Sequence, residues 1–189
     1  MTSPPIVAGR GCGTCSLCCK LLEIGELGKP AGDWCQHVLK GRGCSIYANR
    51  PAACAEFNCG YLLWKEAGEH WLPSKSRMVI AAQGDDRLAV HVDPATPNVW
   101  KTPPYYDDLK RWARNPARYR FRQIIVAIGR RMIAILPDRD VDLGLVAPDE
   151  IVISGPTADG GHAAFKVAPD DPQLPKVLRG GSYVAGRSG

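Results

Sequence analysis

Eight cysteines lie between Cys12 and Cys59, and the rest of the 189-residue chain has none. They are Cys12, Cys15, Cys18, Cys19, Cys35, Cys44, Cys54 and Cys59, a C-x2-C-x2-C-C block followed by four single cysteines. Cysteines used as small core residues would be scattered, so confinement to one stretch points to a local chemical device. A C-x2-C step lets two thiolates reach one ion from a tight turn, as in zinc sites. Runs of C-x2-C-x2-C also recur in iron–sulfur ligation. Both chemistries favour small turns that aim sulfur inward, and Gly11, Gly13, Gly43 and Gly60 each adjoin a cysteine. Adjacent helical residues diverge by about 100°. Cys18 and Cys19 are therefore expected to serve different ions, or different corners of one cluster. Eight thiolates suffice for two four-sulfur zinc sites, for one four-cysteine cluster with spare ligands, or for a compact multinuclear site.

The competing readings are metal-free buried thiols and disulfides. Residues 1–10 lack the basic start and apolar run of a secretory signal. The longest apolar runs, such as residues 124–128, are five residues long, against the roughly 20 that span a bilayer. A cytoplasmic, non-membrane protein is expected, and a reducing cytoplasm disfavours structural disulfides. Clustered thiols there are expected to hold zinc or an iron–sulfur cluster. His37 stands two residues after Cys35, but with eight sulfurs at hand a structural or surface role is expected for it. His70, His91 and His162 show no ligand spacing.

Four motif segments accompany the sulfurs. They are Cys12-x2-Cys15-x2-Cys18-Cys19, Trp34-Cys35-Gln36-His37, Gly43-Cys44-Ser45-Ile46-Tyr47, and Arg50-Pro51-x2-Cys54-x2-Phe57-x-Cys59. Together they resemble the YkgJ-type cysteine-cluster family, described as a zinc- or iron-chelating domain. The resemblance covers residues 12–64 and fills all eight cysteine positions, which implies a metal-ligand role for each. It names neither the metal nor a reaction. A related cluster in flagellin lysine N-methylases, which are much longer proteins, raises an alternative: an iron–sulfur enzyme of redox or group transfer. No S-adenosylmethionine glycine motif, C-x3-C-x2-C triad, G-x-S-x-G elbow or phosphate loop accompanies it. Ile46, Tyr47 and Phe57 could pack around the site and exclude water. Arg50 could donate hydrogen bonds to carbonyls or thiolates beside it.

The elements that must position these residues divide at Pro73. Residues 11–72 are expected to form a cysteine-rich lobe of short helices and loops around a metal centre. Residues 15–22 could be helical and carry several thiols on one side. Residues 24–34 hold four Gly or Pro and read as loop. Arg50-Pro51 fits a helix start, and residues 52–67 read as helix, weakened in the middle by Gly60. Residues 73–170 are expected to form a small antiparallel β-sheet with one helix, packed on the first lobe. Strands are predicted at 77–83, 87–92, 119–128, 131–136, 150–154 and 163–167, and a helix at 105–115. The fold class is α+β. Residues 1–10 read as a flexible lead-in and 171–189 as a flexible tail.

The formal charge is +5. Eight thiolates with two zinc ions would remove four of those charges, so net charge says little about partners. Residues 110–131 contain eight Lys or Arg. Arg118, Arg120 and Arg122 alternate, and on a strand they would share one face and could follow phosphates. The aromatics Tyr119 and Phe121 would then point away and could not stack beside them. A zinc-stabilised nucleic-acid module is accordingly the least favoured reading. A protein or small-molecule partner is expected, of unspecified identity. Trp100, Pro103, Pro104, Tyr105 and Tyr106 read as a loop packed over a core.

Overall fold

The structure, a computed structural model, describes residues 5–39, 41–84, 86–157 and 159–172. The cysteine-rich part begins with a turn in which the Cys15 N–H donates to the Cys12 carbonyl at 2.8 Å. Helix α1 follows at Cys18–Leu21. A loop containing a 3-10 turn at Gly25–Leu27 leads to two short antiparallel strands, β1 at Val38–Leu39 and β2 at Gly43–Cys44. Helix α2, Ala52–Glu56, starts after Pro51. Its first N–H groups find an acceptor outside the helix: the Glu26 carboxylate takes those of Ala52 at 3.1 Å and Ala53 at 2.9 Å. The single helix expected over 52–67 is two. Phe57 is extended and ends α2, and α3 restarts at Gly60–Leu63. Gly60 marks the restart because nothing larger fits: a Cβ there would lie 2.3 Å from the Trp64 ring and 2.8 Å from Ile80.

Helix α4, Pro73–Ser76, turns the chain into the sheet, with proline at its first turn, where no donor is needed. Strands β3, Met78–Gln83, and β4, Arg87–Val92, form a hairpin. A long crossover carries α5, Tyr105–Arg114, and α6, Pro116–Tyr119. Strands β5, Gln123–Ile128, β6, Arg131–Ile135, and β7, Asp140–Leu145, complete the sheet in the order β3-β4-β5-β6-β7. A separate hairpin joins β8, Ile151–Pro156, to β9, His162–Val167.

The α+β class is as expected, but the larger sheet is mixed rather than wholly antiparallel. Strands β4 and β5 run parallel, with Val90 opposite Val126. The helical crossover is the cause, since it returns the chain to the same end before the next strand starts. Strand β5 also begins later than expected. Tyr119 ends α6, and Arg120 follows with a φ of +65°. Arg118, Arg120 and Arg122 therefore do not line one strand face, which removes the arginine row. Strand β7 was not predicted.

The sheet is buried on both faces. One face carries Leu88, Val90, Ile124, Val126 and Ile133 and packs on Leu109 and Trp112 of α5. Leu17 and Leu21 of the α1 segment and Leu62 of α3 belong to that same core. The other face buries Ile125, Ala134 and Leu136 against Val152 and Ala164 of the second hairpin. Burial pulls the pKa of His91, on β4, down to about 4. Trp100 is buried and tilts on Tyr106, while Tyr105 meets Trp71 edge-on, so that segment does pack over the core. The lead-in is tied down over residues 5–10: Val7 N–H donates to Leu62, and Arg10 donates to the Tyr61 and Trp64 carbonyls. Apart from 171 and 172, the expected flexible tail lies outside the described residues.

Candidate metal centre

All eight cysteines line one cavity of about 360 Å³. Each is a free thiol; Cys35 and Cys59 are buried, Cys12 is exposed and the others are half-buried. The cavity is assembled from separate pieces of chain. Cys12 and Cys15 come from the first turn and Cys18 and Cys19 from α1. The Cys35 N–H is bonded to the Cys19 carbonyl at 3.0 Å. Cys44 sits on β2 opposite Val38, Cys54 on α2, and Cys59 immediately before α3. Gly43, at φ +97°, makes the turn into Cys44 that a larger residue would strain.

The thiols act on one another electrostatically. Cys18 donates a hydrogen bond to Cys19. That bond, then burial, drives the Cys18 thiol upward. The same bond, aided by the Lys29 charge, brings Cys19 down to about 7. Burial raises Cys12, with Cys15 adding to it and Arg50 opposing. Burial also raises Cys54, reinforced by Cys19, Cys35 and Cys44. It raises Cys59, reinforced by Cys12 and Cys15 and opposed by the N–H groups of Leu62 and Tyr61. Mutual repulsion of thiolates in a partly desolvated pocket is what a bound cation relieves.

Cations frame the pocket. Arg50 donates to the Tyr47 carbonyl at 3.0 Å and the Cys54 carbonyl at 3.3 Å, and lies 4.0 Å over the Tyr47 ring. It therefore bonds carbonyls rather than thiols. Lys29 is buried, donating to the Lys20 carbonyl at 2.9 Å and to that of Leu22. Lys20 reaches the fully buried Asp93 at 2.7 Å, and Arg77 bonds the same carboxylate. Burial would raise Asp93, but these partners and the Ala95 N–H together hold it below the usual carboxylate range. Asp93 thus ties α1 to the end of β4.

Ile46 and Phe57 line the cavity, as does Tyr47, though Tyr47 is 57% exposed and seals little. His37 lines it as well, with Nε2 3.4 Å from the Gln36 amide. Sequence reasoning missed Lys29 and Glu26. One lysine and one glutamate in a Gly-rich loop carry no signal of burial or capping until the fold brings Cys19 and α2 against them. Among the described residues, no group of three or more His, Cys, Asp or Glu forms a preassembled ion-binding set. No helix among them is long and apolar enough to cross a membrane. In comparisons with known proteins, no family model, curated protein or solved structure matches the chain.

Proposed function

We propose that this chain is a cytoplasmic metal-binding protein that holds zinc or an iron–sulfur cluster through the thiolates of Cys12, Cys15, Cys18, Cys19, Cys35, Cys44, Cys54 and Cys59. The observation that carries this reading is the convergence of all eight on one cavity. These residues are spread over 48 positions of sequence and six pieces of backbone, from Cys12 to Cys59. Soft sulfur donors select zinc, copper(I) or iron–sulfur chemistry over magnesium and calcium. The donor set fits the group. Metal binding can draw such donors together because it is coupled to folding. The likeness to the YkgJ-type family, carried by the motif residues, supports the same reading.

A second reading, an iron–sulfur enzyme, is favoured by the size of the cavity. About 360 Å³ is far more than one or two ions fill, given that a water molecule's share of liquid volume is about 30 Å³. Leu22, Ile24, Leu27 and Phe57 line the remainder, so an apolar small molecule could lie beside the sulfurs.

Anaerobic purification without a metal-affinity tag, followed by elemental analysis and a visible spectrum, decides between them. Colourless protein with stoichiometric zinc supports a closed, structural or carrier site. Iron with acid-labile sulfide and a broad visible charge-transfer band supports the cluster form of the centre, which the enzyme reading requires. Protein that carries neither and binds none on reconstitution refutes both.

A further inference from the structure

The cavity has two kinds of lining. The thiols are one. The other is apolar and comes from three separate places: Leu22, Ile24 and Leu27 in the segment after α1, Phe57 between α2 and α3, and Leu72 just before α4. Leu22, Phe57 and Leu72 pack against the main core yet stay half-buried, so each leaves apolar surface uncovered where it lines the cavity. Leu27 is half-buried too, and it belongs to neither core cluster. A metal ion engages sulfur and covers none of this carbon, and apolar surface left in water is unfavourable. Space is ample. An apolar cavity of about 150 Å³ already takes benzene, and this one has about 360 Å³, within the range of small-molecule sites.

Charge narrows the choice of occupant. Besides the thiols, Glu23 and Arg50 line the cavity. Arg50 is already committed to the Tyr47 and Cys54 carbonyls and to the Tyr47 ring. An anion would meet the Glu23 carboxylate and the charge of any thiolate, which repel it.

We infer that the apolar part of the cavity binds a neutral, apolar molecule roughly the size of naphthalene, held by Leu22, Ile24, Leu27, Phe57 and Leu72 beside the sulfurs. This rests on the enzyme reading above and names the class of its substrate.

The test uses the reduced full-length chain, with zinc, iron and sulfide measured in the same sample. The probes are 2-methylnaphthalene and an anion of similar size, 2-naphthoate. Equilibrium dialysis gives affinity and stoichiometry, and intermolecular NOEs to leucine and isoleucine methyl groups give the place. The neutral probe should bind once per chain, with NOEs to Leu22, Ile24 and Leu27, and the anion more weakly by about tenfold or more. Leu27→Trp, which fills the space, and Leu27→Asp, which charges the wall, should each weaken uptake of the neutral probe by about tenfold or more, as changes in an apolar pocket do. Leu145→Asp, at a side chain 68% exposed on β7, should leave it unaltered. If a Leu27 variant fails to fold, the NOEs of the wild-type chain decide. Equal uptake by the folded Leu27 variants, NOEs to other methyl groups only, or equal binding of the anion overturns the inference. Metal content separates this outcome from the reading beneath it. Iron and sulfide without uptake of the probe overturn the apolar site and leave the centre standing. Uptake without metal or sulfide keeps the apolar site and removes the centre, and a chain that takes up neither overturns both.

Discussion

If the thiols hold metal, Lys29 is the side chain placed to tune that centre without ligating it. It is 7% exposed, and burial lowers its pKa. Among the described residues it makes no close ion pair with a carboxylate. Its Nζ is held by the carbonyls of Lys20 and Leu22, and the negative charges acting on it are those of Cys35, Cys19, Asp33 and Cys18. A buried ammonium is costly unless compensated, and a Cys19 thiolate would supply a counter-charge to Lys29, whose own charge lowers the Cys19 pKa. Lys29→Met keeps most of the apolar stem and removes the charge. Metal affinity measured by chelator competition should fall about 10- to 100-fold, the usual cost of losing a supporting partner, with the number of ions unchanged. Equal affinity in the variant would show that the charge does not reach the sulfurs. The gathering of the cysteines around one cavity agrees with their confinement to one stretch of sequence. Lys29 was not legible, because its role exists only once residues 19, 29 and 35 are brought together.

Helix α3 depends on a contact between the two halves of the chain. Gly60 lies against the Trp64 ring and Ile80 of β3, with no room for a Cβ, and it directly follows the ligand candidate Cys59. Gly60→Ala must displace the Trp64 ring or the Ile80 side chain of the edge strand β3. A destabilisation of about 1–3 kcal/mol is expected, as for overpacking elsewhere, read as a lower denaturant midpoint. Gly25→Ala, where nothing stands within 4 Å, should leave the midpoint almost unmoved. If both variants unfold alike, the close packing of α3 on β3 is wrong. The elements themselves were unevenly legible. The strands at 78–83, 87–92 and 131–135 and helix α5 followed from apolar runs and periodicity. Strand β7 did not, because Asp140 and Asp142 break the apolar signal and Gly144 sits at φ +67°. Val141 and Leu143 find their cover only in the second hairpin's core. The parallel β4–β5 pairing was hidden for a related reason: neighbours in sequence suggest hairpins, whereas a 30-residue crossover with its own helix does not announce its direction.

At the scale of the molecule, the change of texture at Pro73 lies just ahead of the first strand of the larger sheet, which starts at Met78. It could not show that both parts share one core, since Leu17 and Leu21 lie among the cysteines and read as companions of the ligands. They are 3% and 5% exposed and pack with the sheet, and Lys20–Asp93 adds an ionic tie beside them. If the thiols hold metal, chelation should loosen residues 12–59 and release those two leucines. Each is worth about 1.5–3 kcal/mol of burial, against a total stability of about 5–15 kcal/mol for an ordinary domain. The sheet keeps α5 and Trp71 on that face and the β8–β9 hairpin on the other, so it should survive with a narrowed margin. Amide hydrogen exchange should show protection lost across 12–59 and retained in β3 to β6, and the thermal midpoint should drop. Loss of protection throughout the sheet on chelation would mean that the metal centre and the sheet unfold as one cooperative unit, with α1 more deeply bound into the core than two leucines and one ion pair account for.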